Sequence, residues 1–238
     1  MTRPASPYLV PGFYDRALAE GRHRDIVGGR WEETGRLQLA LLQAQGMQPH
    51  HHLLDIGAGS LRLGCKAVPY LDPGHYWATD ASRALMLRGR TVELPDPARL
   101  PEDHLVEDAD FAFPGLPATV DFAIAFGVFT HLPPSLTALA LTRIARRWPG
   151  PCVILFTVFL APEAQEGASL RQPDGVVTHP DRPPWHLTET ALHDMAADAG
   201  VTLTRQADRL PRGQVLWRAQ AGDFRQENAP EPKVSARR

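Results

Sequence analysis

Leu53-Leu54-Asp55-Ile56-Gly57-Ala58-Gly59-Ser60 decides the fold: a short apolar run closed by an acid and two glycines. The run reads as a buried strand, the glycines as a tight turn, and 61–68 as a helix that Pro69 ends. Glycine at the end of a buried strand lets the backbone turn sharply and lets a ligand approach, while the following helix offers unpaired N–H groups. A second strand is predicted over 75–80 and a short helix over 81–89, with Ser82 as N-cap. The unit is β-α-β, which implies parallel strands and a right-handed crossover.

Working outward, Leu37, Leu41, Leu42 and Ala44 recur at helical spacing and predict an amphipathic helix over 31–46. Downstream come a weak strand at 104–107 and a nearly continuous apolar strand at 120–126, of the kind found in a sheet covered on both faces. Helix 135–148 and strand 152–159 follow. Helix 188–199 is capped by Thr188 and stopped by Gly200, and alternating segments at 201–204 and 215–219 read as a terminal strand pair. Residues 31–222 form one domain. The stretch 161–185 is polar and aperiodic and contains Pro162, Pro173, Pro180, Pro183 and Pro184, so it reads as a loop insertion. Residues 1–30 are expected to drape over the surface as a lid on the site, and 223–238 to form a disordered tail.

Composition narrows the function. The chain has 238 residues, 43% hydrophobic and 22% charged, enough for one domain with a sizeable core. With 25 basic and 27 acidic residues it has no global attraction for nucleic acid or an anionic membrane, so a small or neutral partner is expected. Cys65 and Cys152 lie too far apart in sequence for a disulfide scaffold or a clustered zinc site. The first 21 residues lack an apolar leader core, and a cytoplasmic location is expected. Ten of the 23 prolines fall in 95–117 and 162–184, as loops around a site would.

Three acids follow strand ends, where open α/β sheets gather their ligands. Asp80, 25 positions after Asp55, can accept both hydroxyls of a ribose, or simply favour a helix N-terminus. In Asp108-Ala109-Asp110-Phe111 an acid can accept from an adenine amino group while the aromatic flanks the ring. Asp55 discriminates between nucleotides. Its charge is a poor neighbour for a pyrophosphate and a good one for an ammonium group, which points to S-adenosylmethionine rather than NAD.

These residues resemble the class I S-adenosylmethionine-dependent methyltransferases. Residues 53–60 look like their first motif, Asp80 like their ribose-binding acid, and 108–111 like their adenine-binding segment. Residues 120–133 look like their fourth strand and the loop over the reactive sulfonium. Ser60 stands where a third glycine is frequent. The resemblance implies a Rossmann-like, doubly wound α/β sheet of seven strands, the last antiparallel, with helices on both faces. It implies cofactor contacts from Asp55, Gly57, Ala58, Gly59, Asp80, Ala81, Asp108 or Asp110, Phe111 and Phe126. Methyl transfer by in-line displacement then needs alignment, exclusion of water and sometimes a base.

His131 is the candidate base; the alternative is a structural histidine that bonds the loop. For the acceptor pocket, the stretches 161–185, 8–31 and 212–214 are the candidate walls, and Trp31, Arg62, Trp185 and Arg212 the candidate residues, although Arg62 also fits a solvated helix face and the tryptophans fit a core. His179, His186 and His193 form no tight ligand pair, and no metal is expected. The reading is a methyltransferase for a small-molecule acceptor such as a sugar or secondary metabolite, with oxygen favoured. A peptide or protein acceptor and a non-catalytic cofactor-binding module are the alternatives.

Overall fold

The structure, a computed structural model, describes residues 6, 8, 10 and 12–221; the expected tail lies outside them. Strands β1 (Leu53–Ile56), β2 (Tyr76–Asp80), β3 (Leu105–Glu107), β4 (Phe122–Ala125) and β5 (Val153–Leu160) are parallel, in spatial order 3-2-1-4-5. Within the insertion lie β6 (Leu170–Arg171), β7 (Val177–Thr178) and β8 (His186–Leu187), and β9 (Val201–Arg209) and β10 (Val215–Ala221) close the chain. β10 enters beside β5 antiparallel to it, and β9 adds outside β10. The expected antiparallel last strand is therefore present. β8 pairs with Phe159 and Leu160 of β5, beyond the register of both β4 and β10, and brings the sheet to eight strands.

Six helices flank the sheet: α1 (Asp15–Ala19), α2 (Trp31–Ala44), α3 (Gly64–Tyr70), α4 (Arg83–Glu93), α5 (Pro134–Arg147) and α6 (Glu189–Asp198). Both sheet faces are buried, because alternate strand residues enter different cores. Leu54, Ala123, Ile154 and Trp217 pack with Leu141, Ile144 and Leu192 of α5 and α6. Leu53, Ile124, Leu155 and Leu216 pack with Leu42, Val68 and Met86 of α2, α3 and α4. The caps are as the sequence predicts: Ser82 accepts from Leu85 N and Thr188 from Ala191 N, each at 3.2 Å. Among the described residues no helix is long and apolar enough to cross a membrane.

Four expectations need correction. The helix after the glycines begins at Gly64, not at residue 61, because Leu61 adopts φ 63° and inserts an extra turn. The final strand pair is longer than predicted, since β9 runs nine residues along β10. The insertion is not structureless: β6 and β7 form a hairpin whose Gln172 donates to Leu160 O at 3.2 Å and Thr178 Oγ1 at 2.9 Å. The N-terminal segment, read as irregular, carries α1 and a tight helical turn at Asp25–Val27.

Candidate functional site

The penultimate residue of β1 is Asp55, which is 3% exposed. Its carboxylate accepts from Tyr76 Oη at 2.7 Å, and burial pushes its pKa up to about 7. The chain then turns through Gly57 and Gly59, at φ 68° and 57°, conformations open to glycine. Asp80, at the end of β2, accepts from Gly59 N and from Ser82 N, both at 2.9 Å, so its carboxylate fixes the turn. Burial raises its pKa to about 6. Two buried acids thus flank one glycine turn.

Close approach to this turn rests on glycines elsewhere. A Cβ on Gly89 of α4 would stand 2.1 Å from Ser60 O, and one on Gly35 of α2 2.7 Å from Arg62 O. Ser60 is fully buried, and its hydroxyl donates to His23 O at 2.8 Å. The residue that replaces a third glycine therefore ties down the N-terminal segment.

After β3, Asp108 folds back on its own loop and accepts from the amides of Asp110 (3.2 Å), Ala112 (3.1 Å) and Phe113 (2.9 Å). Asp108, Ala109 and Phe111 line the cavity above the glycine turn. Asp110 does not: it is exposed, with its carboxylate 3.4 Å from Arg143 Nη1. After β4, Phe126, Val128 and His131 line the same cavity. Gly127 N donates to Thr157 Oγ1 at 2.8 Å and His131 N to Val128 O at 2.9 Å, which sets the loop. Burial, reinforced by the Arg212 charge, pulls the His131 pKa down to about 4, so the imidazole is neutral at neutral pH. The Tyr8 ring meets His131 edge-on, centroids 4.8 Å apart.

The remaining wall is the N-terminal segment, through Tyr8, Tyr14, Val27, Gly28 and Arg30. Two arginines hold it. Arg62 donates to Val27 O at 2.7 Å and Gly29 O at 3.3 Å, and Arg212 to Gly28 O at 2.6 Å. The cavity is about 220 Å³.

The cavity gathers Asp55, Gly57, Ala58, Gly59, Arg62, Asp80, Ala81, Asp108, Phe111, Phe126, His131 and Arg212 of the predicted set, and leaves out Asp110, Trp31 and Trp185. Trp31 is buried on α2, with Arg24 over its ring at 5.1 Å. Trp185 lies behind the His131 loop, and its backbone N donates to Thr130 O at 2.7 Å. No residue of 161–185 lines the cavity, contrary to the expectation that the insertion walls the acceptor pocket. The histidines there are engaged by other groups: His179 by Ser169 at 2.7 Å and His186 by Thr178 at 2.8 Å.

Sequence reasoning missed Thr34 and Gln38, polar residues that interrupt the buried stripe Trp31, Gly35, Leu41 and Leu42 of α2. That interruption was a readable signal. It also missed Ser6, whose position depends on contacts distant in sequence, whereas Tyr8, Tyr14 and Gln214 fall within the stretches 8–31 and 212–214 expected at the acceptor side. Ser6 Oγ, Gln38 Oε1, Arg62 Nε and Gln214 Oε1 belong to cavity-lining residues and are buried with no hydrogen-bond partner among the described residues, as a site built for a polar ligand leaves them.

No family model matches the sequence, and no curated protein matches it significantly. Solved structures do match. Magnesium protoporphyrin IX methyltransferase from Synechocystis PCC 6803, with bound SAM, superposes with TM-score 0.59 at 13% identity, over 93% of this chain and 100% of that one. Human N-acetylserotonin methyltransferase in complex with SAM gives TM-score 0.61 at 18% identity over 90% of this chain, which spans 60% of the human protein. The glycopeptide N-methyltransferase MtfA gives 0.55 at 16% identity, over 82% and 91%. The chain has the Rossmann-like fold of the S-adenosylmethionine-dependent methyltransferases.

Proposed function

We propose that this protein is an S-adenosylmethionine-dependent methyltransferase acting on a small-molecule acceptor, with oxygen the favoured atom. The observation that carries the reading is the pair of buried carboxylates, Asp55 and Asp80, on either side of the Gly57–Gly59 turn and lining one cavity. Burying two acids is costly unless a ligand offsets their charge or uses their lone pairs. A cationic nucleoside does both.

The residues fit the cofactor. Asp55 faces its ammonium group, and a cation there returns the carboxyl to its charged form from a pKa near 7. Asp80, with one backbone donor on each oxygen, keeps lone pairs for the two ribose hydroxyls. Asp108 shapes the loop that, with Phe111, receives the adenine; the exposure of Asp110 favours Asp108 for this role. Gln38 and Arg62 have unpartnered polar atoms for the amino-acid tail. When bound, the cofactor supplies a methyl group activated by sulfonium.

His131, neutral and uncharged at working pH, accepts a hydrogen bond from the acceptor hydroxyl and takes up its proton. The cavity of about 220 Å³ is smaller than the roughly 300–1,000 Å³ of typical small-molecule sites. The N-terminal segment, held by Arg62 and Arg212, therefore acts as a lid that opens for entry and excludes water when closed. A cavity of that volume favours a small acceptor over a folded protein. Cytoplasmic action suits the two buried free thiols, Cys65 and Cys152.

Calorimetric titration with S-adenosylhomocysteine and with NADH tests the cofactor assignment, and transfer of labelled methyl to a panel of hydroxylated, amino and peptide acceptors tests the reaction. Binding of NADH alone would overturn the cofactor assignment. Labelling of peptides alone would overturn the small-molecule assignment.

A further inference from the structure

Arg212 lines the cavity with a charge that no ion pair among the described residues answers. It sits in the turn Pro211–Gly213 between β9 and β10 and adopts φ 68°, a left-handed conformation that a non-glycine residue rarely takes. The insertion enforces it. Asp174 Oδ2 accepts from Arg212 N at 2.6 Å, and the β6–β7 hairpin packs so tightly that a Cβ on Gly213 would stand 2.9 Å from Pro173 Cδ. The Asp174 carboxylate is thus spent on the backbone of the turn.

The guanidinium reaches back over the cavity. Its partner there is a neutral carbonyl, Gly28 O, and among the described residues no ion pair includes it. Its charge is felt by His131 and Tyr8, on the side of the cavity that follows β4, and also by Arg62, which shares the Val27–Gly29 stretch with it and feels Asp55 in turn. Asp55 and the glycine turn lie at the end of β1. Gln214, two residues on and 9% exposed, contributes a buried side-chain oxygen with no partner.

We propose that Arg212, with Tyr8 and Gln214, forms a subsite that takes a carboxylate carried by the methyl acceptor. This rests on the methyltransferase reading above and names the acceptor class: a hydroxy acid or similar monoanion. One guanidinium, with part of its donor set already on Gly28 O, matches one planar carboxylate better than a doubly charged phosphate. The Tyr8 ring gives an apolar surface beside it. The placement also couples binding to chemistry. An anion against Arg212 cancels the charge that helps depress His131 and makes that imidazole a better proton acceptor once the acceptor is seated.

The test uses protein saturated with S-adenosylhomocysteine and titrated calorimetrically with benzoate and, separately, benzamide, its uncharged analogue. Benzoate is expected to bind about tenfold more tightly or better, the margin of one charge-assisted hydrogen-bonded contact. The preference should vanish in Arg212→Gln and persist in part in Arg212→Lys. Equal binding of the two probes, or no benzoate binding, overturns the proposal. A second arm compares S-adenosylhomocysteine with 5′-methylthioadenosine, which lacks the amino-acid tail. If Arg212→Gln weakens only the former, the charge serves the cofactor's own carboxylate and the proposal falls. Failure of the wild-type protein to bind S-adenosylhomocysteine at all overturns the underlying reading, and this one with it.

Discussion

Val27 lies directly on Gly59: a Cβ on Gly59 would stand 2.6 Å from Val27 Cγ1, at a backbone φ of +57°. The N-terminal segment and the glycine turn are therefore in steric contact, and Gly59→Ala meets two separable penalties. The left-handed conformation costs roughly 1–2 kcal/mol for a residue with a Cβ, and the clash displaces the N-terminal segment. We expect Gly59→Ala to lower the melting temperature and to weaken S-adenosylhomocysteine binding about tenfold or more. Adding Val27→Ala should recover part of the affinity and little of the stability. If the double variant recovers neither, the contact does not govern access to the turn.

His131→Ala should reduce turnover by about a hundredfold or more, as general-base groups contribute, while leaving cofactor affinity near wild type. The pH profile adds a sharper test. With the His131 pKa lowered to about 4 by burial and Arg212, the free enzyme keeps a neutral imidazole down to mildly acidic pH. The acid limb of kcat/KM assigned to this group should therefore lie well below 6.5, and it should be absent from the variant. An unchanged kcat in His131→Ala leaves the residue a purely structural role.

Asp55 makes stability depend on pH in a direction opposite to that of ordinary carboxylates. Its folded pKa, near 7, lies above the usual 3.8, so the folded chain holds a proton that the unfolded chain has released. The stabilisation is complete below about pH 4 and is lost as pH rises towards 7, at about 1.4 kcal/mol per unit of difference. Asp80 adds the same trend up to about 6, whereas His131, lowered to about 4, opposes it. The contribution of Asp55 is isolated by comparison with Asp55→Asn. Between pH 4 and 7 the ligand-free variant should gain stability relative to wild type, and it should bind S-adenosylhomocysteine more weakly. Parallel pH profiles of melting temperature would refute the assignment.

The parts of this site that were legible in sequence are the parts that are local. Leu53 to Ser60 carries its strand and turn in consecutive residues, and Asp80 falls one β-α-β unit later. What stayed hidden depends on contacts across the chain. Arg62 looks like a helix-surface cation until its guanidinium is seen on the carbonyls of Val27 and Gly29, and Arg212 bonds a carbonyl 184 positions away. Neither contact leaves a periodic trace. The choice between Asp108 and Asp110 turned on backbone conformation: Phe111 and Phe113 take φ 62° and 53°, which wraps the loop around the first acid and turns the second towards Arg143. Leu61 misled in the same way, since a leucine gives no sign of a left-handed turn.

The insertion at 161–185 acts on the site from behind, and Asp174 is the residue through which that action is measurable. Its carboxylate accepts from Arg212 N at 2.6 Å and holds a conformation that costs an arginine roughly 1–2 kcal/mol when unsupported. Asp174→Ala should let the turn relax and swing the guanidinium away from His131. With an acceptor in hand, the expected result is a KM raised about tenfold with kcat changed much less, because a misplaced binding group weakens substrate and transition state alike. S-adenosylhomocysteine affinity should hold, since among the described residues Asp174 does not line the cavity and its carboxylate bonds the Arg212 amide. Asp174→Asn keeps an oxygen in place to accept the same amide and should restore most of the KM. Were the alanine variant to lose cofactor binding as well, the insertion would be supporting the whole sheet end rather than the acceptor side.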